Sequence, residues 1–369
     1  MKLKKSQQIG IVSYGSKIPK FKILGESIAK SQGKEEQKIY LSLGVDSKTL
    51  PGIDEDTITL STASAFQAIS RLESFNQSDS FIKNKISSLY IGSESHPYAV
   101  KPSGTVVAQA LGISSDSFME TKVLSTADLQ FACKAGTAAL QISSLYVLSG
   151  FSELSLAIGT DTAQSKPGDV LEYTAVAGSA AFILGSGNGD KKNNNKILAK
   201  LLAMTSIATD TPDFWRRQHK EYPEHAGRFT GEPGYFYHIE LATKKILKET
   251  GLSPKDFDYC IFHTPNAKFS IKVANRLGFN MDQLKPSLVV KKIGNTYAAS
   301  SPLGLVATLD IAKKNKKILL VSYGSGAGSD AFVFETTEHL EEAQKVWKNK
   351  PGIIGKTLLS QIENLQCKK

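Results

Sequence analysis

Short apolar runs rich in β-branched residues alternate along the chain with longer stretches in which apolar positions recur every three or four residues. Ile9–Val12, Ser88–Ile91, Leu154–Ile158, Ala181–Leu184, Tyr259–Phe262 and Ile318–Val321 end in glycine or polar residues and predict buried strands. Helical period runs through Asp54–Leu72, Ser103–Leu111, Gly136–Val147, Tyr235–Lys248, Ala267–Arg276 and Pro302–Lys313. Strands interleaved with helices predict an α/β layered fold.

The order of elements repeats. The first half runs from a strand ending at Gly92–His96, through a strand–turn–helix at Phe131–Thr137, to a strand ending at Gly159–Asp161. The second runs from a strand ending at His263–Asn266, through a Gly-led turn at Gly294–Tyr297 that opens a helix of small residues, to a strand ending at Tyr323–Gly328. This is a degenerate internal duplication. In each half the chemically capable residues fall at strand C-termini and helix N-termini, the edge where α/β sheets bind ligands. The divide falls near Gly185–Asn195, a polar Gly/Asn stretch. The expected organisation is an N-terminal half over 1–187, a C-terminal half over 188–335 and a Lys-rich extension over 336–369. In that extension Glu338–Trp347 reads as a surface helix, Pro351-Gly352 as a break and Lys356–Cys367 as a second amphipathic stretch.

The 369 residues are 41% hydrophobic and 22% charged, which suits a chain with a full core and excludes a disordered one. The net charge of +10 is nearly all lysine, in runs at Lys2–Lys5, Lys191–Lys192, Lys313–Lys317 and Lys345–Lys369. Such a surface attracts polyanions. No Arg-rich stripe or aromatic platform accompanies it, so no nucleic-acid partner is expected. Cys133, Cys260 and Cys367 form no CxxC pair, which argues for a reducing compartment and against structural zinc or disulfides. The apolar stretch Ile9–Tyr14 is too short for a secretory leader, and no window nears the roughly 18 unbroken apolar residues of a membrane span. A soluble, cytoplasmic protein without membrane contact is expected.

Cys133 opens a run of small residues that can form a tightly packed helix. A cysteine at a helix N-terminus has its thiolate favoured by the dipole, with backbone N–H groups at hand for an oxyanion. The competing reading is a small buried hydrophobe. His263 closes an apolar strand and occupies the slot that Glu94 takes in the first half; by itself it is equally a satisfied structural histidine. Glu94, between serines after a strand, can be desolvated towards general acid/base use or remain a solvated loop residue. Asn295 suits a turn, and Gly324–Gly328 can bring backbone close to a ligand without being a Walker A loop. His96, Tyr98, Trp215, His225, His238 and Cys260 read as structural. Together one Cys, one Glu, one His and one Asn suit carbon–carbon chemistry on thioesters.

Seven motifs in order, Gly92–Thr105, Phe131–Thr137, Thr211–Arg217, Gly227–Pro233, His263–Asn266, Ile293–Tyr297 and Ser322–Asp330, resemble the hydroxymethylglutaryl-CoA synthase family of archaeal type, from about Ile9 to Phe334. The resemblance implies a thiolase-type fold: two pseudo-symmetric βαβαβαββ-like halves in a layered αβαβα arrangement, forming a homodimer. It implies Cys133 as acyl-thioester nucleophile, Glu94 as general acid/base, and His263, assisted by Asn295, as the group that orients acetoacetyl-CoA. Thr174, Thr230, Lys268, Lys272, Asn295 and Ser325 would line the CoA or product site. No metal or cofactor beyond the acetyl-CoA and acetoacetyl-CoA substrates is implied. A complex with an acetoacetyl-CoA thiolase and a small OB-fold/zinc-ribbon bridging protein is. Lys272 stands where the family more often has Arg, and Glu35 beside Glu36 stands where it has Asp. Insertions are expected near Phe75–Ile82, Ser114–Val123 and Gly187–Asn195. Two other readings stay open: a β-ketoacyl synthase III-like condensing enzyme, and a non-catalytic CoA-binding scaffold.

Overall fold

The computed structural model describes residues 1–3, 8–76, 82–114, 123–187 and 195–368. Most of the three expected insertions (77–81, 115–122 and 188–194) therefore lies outside the described residues, as do Lys4, Lys5, Lys191 and Lys192.

All six strands and six helices that the pattern predicts form. The strands are β1 (Ile9–Lys17), β2 (Ile86–Gly92), β4 (Leu154–Thr162), β5 (Ala177–Ser186), β7 (Tyr259–Phe262) and β8 (Lys317–Val321). Three further strands, β3 (Ser125–Leu129), β6 (Ala199–Ala208) and β9 (Gly328–Thr336), complete the sheet. The helices are α1 (Thr57–Asn76), α2 (Ser103–Leu111), α3 (Ala135–Leu148), α4 (Phe236–Thr250), α5 (Ala267–Leu277) and α6 (Ser300–Ile311).

Nine strands lie in the order β7-β8-β9-β6-β1-β5-β4-β2-β3. On one side β1 and β4 flank β5 antiparallel, and β4, β2 and β3 run parallel. On the other, β6 and β8 flank β9 antiparallel, and β8 and β7 run parallel. The two sides repeat strand for strand, β1-β5-β4-β2 against β6-β9-β8-β7, and meet where Gly10 and Ile11 pair with Lys200 and Ala199. The turn after β2 and the turn after β7 are thus equivalent positions, and so are the turns that open α3 and α6.

Those two helices are the most buried of the fold. From Ser300 to Leu309 every residue of α6 is buried, and α3 buries Ala135, Gly136, Thr137, Ala139, Leu140, Ser143, Ser144 and Val147. A helix enclosed on all sides, as α6 is to Leu309, loses the one-sided apolar stripe of a surface helix, and small residues permit the close approach; α3 keeps one exposed position, Leu145. At Gly92 a Cβ would sit 2.0 Å from the Ala135 carbonyl oxygen. Any side chain there would force the end of β2 away from the start of α3.

The extension after Thr336 is packed into the body. Its first helix (Glu338–Lys348) sets Leu340, Ala343 and Trp347 into the main core. Buried Gln67 and Arg71 of α1 hold the carbonyls of Ile353, Ile354 and Lys356, and Gln366–Cys367 pairs parallel with Phe21–Leu24. The apolar positions 340, 343 and 347 have helical spacing, and the side they line is a core face. It is a surface helix whose one apolar face is built into the core while Glu338, Glu342, Lys345 and Lys348 stay exposed.

Candidate active site

The turn before α3 carries Cys133. Ala132 sits at φ 42, in the left-handed region that costs a side-chain-bearing residue about 1–2 kcal/mol. Lys134 N–H donating to Phe131 O and Ala135 N–H donating to Ala132 O hold the turn in that form. At the equivalent turn before α6, Tyr297 sits at φ 49, and its N–H donates to Asn295 Oδ1 at 2.9 Å. The duplication extends to the strained backbone.

Cys133 Sγ lies 3.4 Å from Glu94 Oε1, within hydrogen-bonding reach. Cys133 is buried and Glu94 is half-buried at the cavity edge. Burial first, then the negative charge of Asp161, lifts the Glu94 carboxyl to about 8, against the pull of Cys133 and Arg216. Burial and the neighbouring Glu94 and Asp161 charges push the Cys133 thiol well above its ordinary value, opposed by its own backbone N–H. A carboxyl poised near neutrality beside a thiol can exchange protons at working pH.

Asp161, at the end of β4, organises this pocket and was not singled out from sequence. Its Oδ1 accepts from Ser93 Oγ (2.6 Å), Glu94 N–H (2.9 Å) and Ser95 Oγ (2.6 Å), and its Oδ2 from Ala298 N–H (2.7 Å). It joins the Glu94 turn to the α6 turn of the other half. A second buried acid, Asp330 of β9, does the same below Cys133. It pairs with Lys134 Nζ at 3.1 Å and accepts from Thr137 Oγ1 and Ser206 Oγ.

His263 follows β7 and is 1% exposed. Burial lowers its pKa to about 3, so the ring is neutral at physiological pH. Tyr235 Oη and Ser270 Oγ hold its carbonyl, and its Nδ1 has no partner among the described residues. A neutral buried imidazole with a free ring nitrogen is a hydrogen-bonding group for a ligand. Asn295 is buried, its N–H donating to Thr174 O at 2.7 Å, so Thr174 and Asn295 stand side by side.

The Gly324–Gly328 loop lies directly against the cysteine turn: a Cβ on Gly324 would sit 2.5 Å from Phe131 O and 3.0 Å from Lys134 N. Most of its N–H groups are spent within the chain. Those of Gly324, Ala327 and Gly328 donate to Gly328, Thr209 and Gly324 carbonyls, and that of Gly326 to Asp213 Oδ1. Within this loop only the Ser325 N–H donates to no acceptor among the described residues, and in the facing turn the Cys133 N–H is among those that donate to none. Asp213, from the Thr211–Arg217 motif, also accepts from Tyr323 Oη at 2.5 Å and anchors the loop.

Lys268 and Lys272 lie exposed on α5, the latter with its ammonium 4.9 Å from the Phe236 ring centroid. Thr230 Oγ1 donates to Asp213 O at 3.3 Å. Glu35 and Glu36 are exposed on a single helical turn (Glu35–Gln37), and no hydrogen bond or ion pair joins them to Glu94, Cys133 or His263 among the described residues.

A cavity of about 480 Å³ opens beside Glu94, walled by Ala132, Tyr297, Phe214, Trp215 and Pro223. Phe214 packs with Cys133, Ala175 and Tyr297. Trp215, which reads as structural in the sequence, lines this cavity instead. His96 holds Ser103 Oγ and Asp128 while also facing the cavity.

A protein-family model described as 3-oxoacyl-[acyl-carrier-protein (ACP)] synthase III C terminal matches residues 247–336. Crystal structures of an HMG-CoA synthase complexed with CoA (TM-score 0.81, 23% identity, 98% of this chain and 88% of that one) and of 3-oxoacyl-(acyl carrier protein) synthase III from Pseudomonas aeruginosa PAO1 (0.77, 17%, 90% and 99%) share the fold. The chain is 49% identical to the hydroxymethylglutaryl-CoA synthase of Archaeoglobus fulgidus, over 92% of this chain and 93% of that protein. It is 47% identical to the enzyme of that name from Methanopyrus kandleri, over 92% and 91%. With identity of that extent along nearly its whole length, the chain belongs to the hydroxymethylglutaryl-CoA synthase family and has its thiolase-type fold.

Proposed function

We propose that this chain is an acyltransferase condensing acetyl-CoA with acetoacetyl-CoA and water to 3-hydroxy-3-methylglutaryl-CoA and CoA, as a step of the mevalonate route to isoprenoids. The observation that carries the reading is the Cys133–Glu94 pair at 3.4 Å, at the buried N-terminus of α3.

Cys133 Sγ attacks the acetyl carbonyl and its proton leaves with CoA. The free N–H groups of Cys133 and Ser325 serve the oxyanion, which narrows the donors expected from the glycine loop to one. Glu94 removes a methyl proton from the acetyl thioester, the enolate attacks the ketone of acetoacetyl-CoA, and Glu94 returns the proton to the new alkoxide. His263 as a neutral donor, with Asn295, orients the acetoacetyl thioester. Water then releases the product from Cys133. Thr174, Thr230, Lys268, Lys272 and Ser325 serve CoA, the two lysines as point charges for its phosphates. Glu35 and Glu36, both exposed, complete the proposed CoA set. CoA thioesters suffice; no metal or further cofactor takes part.

The proposed setting is a cytoplasmic homodimer, able to assemble with an acetoacetyl-CoA thiolase and an OB-fold/zinc-ribbon bridging protein. Among the described residues no helix is long and apolar enough to cross a membrane. The retained Glu94 favours this reading over the β-ketoacyl synthase III-like one, whose carbanion comes from decarboxylation and needs no base there.

Intact-protein mass spectrometry tests the proposal. Acetyl-CoA should add one acetyl group to wild-type protein and none to Cys133→Ser, and acetoacetyl-CoA should discharge it as hydroxymethylglutaryl-CoA. No adduct on folded wild-type protein would favour the scaffold reading; an adduct that only a malonyl thioester discharges would favour the β-ketoacyl synthase.

A further inference from the structure

Hydrolysis, the last step of the reaction proposed above, creates a new charge inside the site. The water oxygen bonds to the thioester carbon and the carbon–sulfur bond breaks. One water proton returns to Cys133 Sγ and the other leaves to solvent. A carboxylate is left where the thioester carbonyl stood. The Cys133 and Ser325 N–H groups that serve the oxyanion can reach one of its oxygens, but no cation in the assigned set meets its charge. Glu94 is itself a carboxyl, His263 is neutral, and Lys268 and Lys272 stand exposed on α5, outside the Glu94 cavity lining.

The cavity beside Glu94 is poor in cations. Among the described residues its lining includes the acids Asp56, Glu94 and Glu221, and a single Lys or Arg, Arg216. The cavity also exceeds an acetyl group many times over, so the acyl end of the adduct has room to turn into it. Arg216 directly follows the short strand Phe214–Trp215, both of whose residues line the cavity, and Phe214 packs against the cluster of Cys133, Ala175 and Tyr297. Arg216 is exposed, enters no ion pair among the described residues, and its Nη1 makes a long 3.4 Å bond to the Lys220 carbonyl. A guanidinium left with unspent donors at the edge of an otherwise acidic pocket is a fork for a carboxylate.

We propose that Arg216 is a further catalytic residue, binding the carboxylate that hydrolysis of the Cys133 thioester creates and drawing it into the cavity beside Glu94. The inference rests on the reaction proposed above. Arg216 has a second consequence for the same site. The groups facing Glu94 are Asp161 from β4, Cys133 from the α3 turn, Tyr297 from the α6 turn, His96 from its own turn, Asp56, Glu221 and Arg216. Asp161 raises the Glu94 pKa and Arg216 lowers it. Removing the guanidinium therefore shifts the basic form of Glu94 to higher pH.

Rapid-quench intact mass spectrometry of wild type, Arg216→Gln and Arg216→Lys, each mixed with acetyl-CoA and then acetoacetyl-CoA, tests this. In Arg216→Gln the acetyl adduct should form at the wild-type rate. The condensed adduct, held to Cys133 at one end and CoA at the other, should then accumulate as hydrolysis slows roughly tenfold to a hundredfold, the worth of a charged hydrogen bond. Arg216→Lys should recover part of the rate, and in Arg216→Gln the pH midpoint of condensation should rise. Turnover, adduct and pH midpoint all equal to wild type in Arg216→Gln would overturn the inference and leave the proposed function standing. A wild-type protein that forms no Cys133 adduct would overturn both.

Discussion

The two halves place different chemistry at equivalent positions. After β2 stands Glu94, with a pKa raised to about 8; after β7 stands His263, with a pKa lowered to about 3. Burial is the largest cause of both shifts, because desolvation penalises the charged form of either group, and the Asp161 charge adds to the first. The outcome differs in kind. The raised acid can take and return a proton near neutrality, whereas the lowered imidazole stays neutral and can only orient. Before α3 stands a thiol, before α6 the carboxamide of Asn295. Duplication supplied one scaffold with two pockets, and side-chain chemistry made the first half reactive and the second receptive.

Both halves are needed at one point, and buried ion and hydrogen-bond networks fix that point. The Lys134–Asp330 pair ties the cysteine turn to β9, with side-chain exposures of 5% and 0%. Lys134→Met should destabilise the fold by roughly 3–5 kcal/mol, because Asp330 is left as an uncompensated buried charge. Chemical denaturation measures this, and a loss below 1 kcal/mol would show that the halves are held together by other means. Apolar replacement of both partners should restore stability and, if the pair also sets the Cys133 geometry, still leave acetylation slow.

His263→Ala tests the receptive half. It should cost roughly tenfold to a hundredfold in kcat/KM for acetoacetyl-CoA, the worth of one or two hydrogen bonds, and leave acetylation of Cys133 near wild type. Equal damage to both steps would break the division of labour. Asp161→Asn tests the reactive half with a smaller expected effect. Removing the charge that raises Glu94 should move the pH midpoint of condensation down from about 8 by about one unit. An upward or absent shift would mean that burial acts without Asp161.

Much of this arrangement is legible in the chain. The strands β1, β2, β4, β5, β7 and β8 are β-branched runs buried on both faces, and α3 and α6 announce themselves by small residues. The missing strands have physical reasons. β3 is an edge strand of Ser125–Leu129, half-buried along its length, and β9 begins inside a glycine loop that masks its start. Cys133, Glu94 and His263 were readable because each closes or opens an element at the ligand edge. Asp161, Asp330 and Lys134 were not, because their roles lie in partners far away in sequence: Asp161 meets Ala298 and Lys134 meets Asp330. The sole hint was an acid or amine inside an otherwise apolar or small-residue run. Trp347 carried a plainer signal, since an aromatic in phase with Leu340 and Ala343 predicts a core face.

Glu94→Gln also has a thermodynamic signature. Native Glu94 holds its proton up to about pH 8, while an unfolded glutamate releases it near 4.5. The native state therefore binds more protons within that window, and stability falls as pH rises through it. The variant should melt higher than wild type by a few degrees at pH 8, with the gap closing as pH drops to 4.5. Scanning calorimetry at the two pH values reads this directly.

The most direct test of the central claim is the fate of acetyl-Cys133 in Glu94→Gln after acetoacetyl-CoA is added. The acetyl adduct should form as in wild type and then persist, with condensation slowed by roughly 10²–10⁴-fold, the usual contribution of a positioned base. An adduct that discharges into hydroxymethylglutaryl-CoA at the wild-type rate would contradict the assignment of proton transfer to the first half.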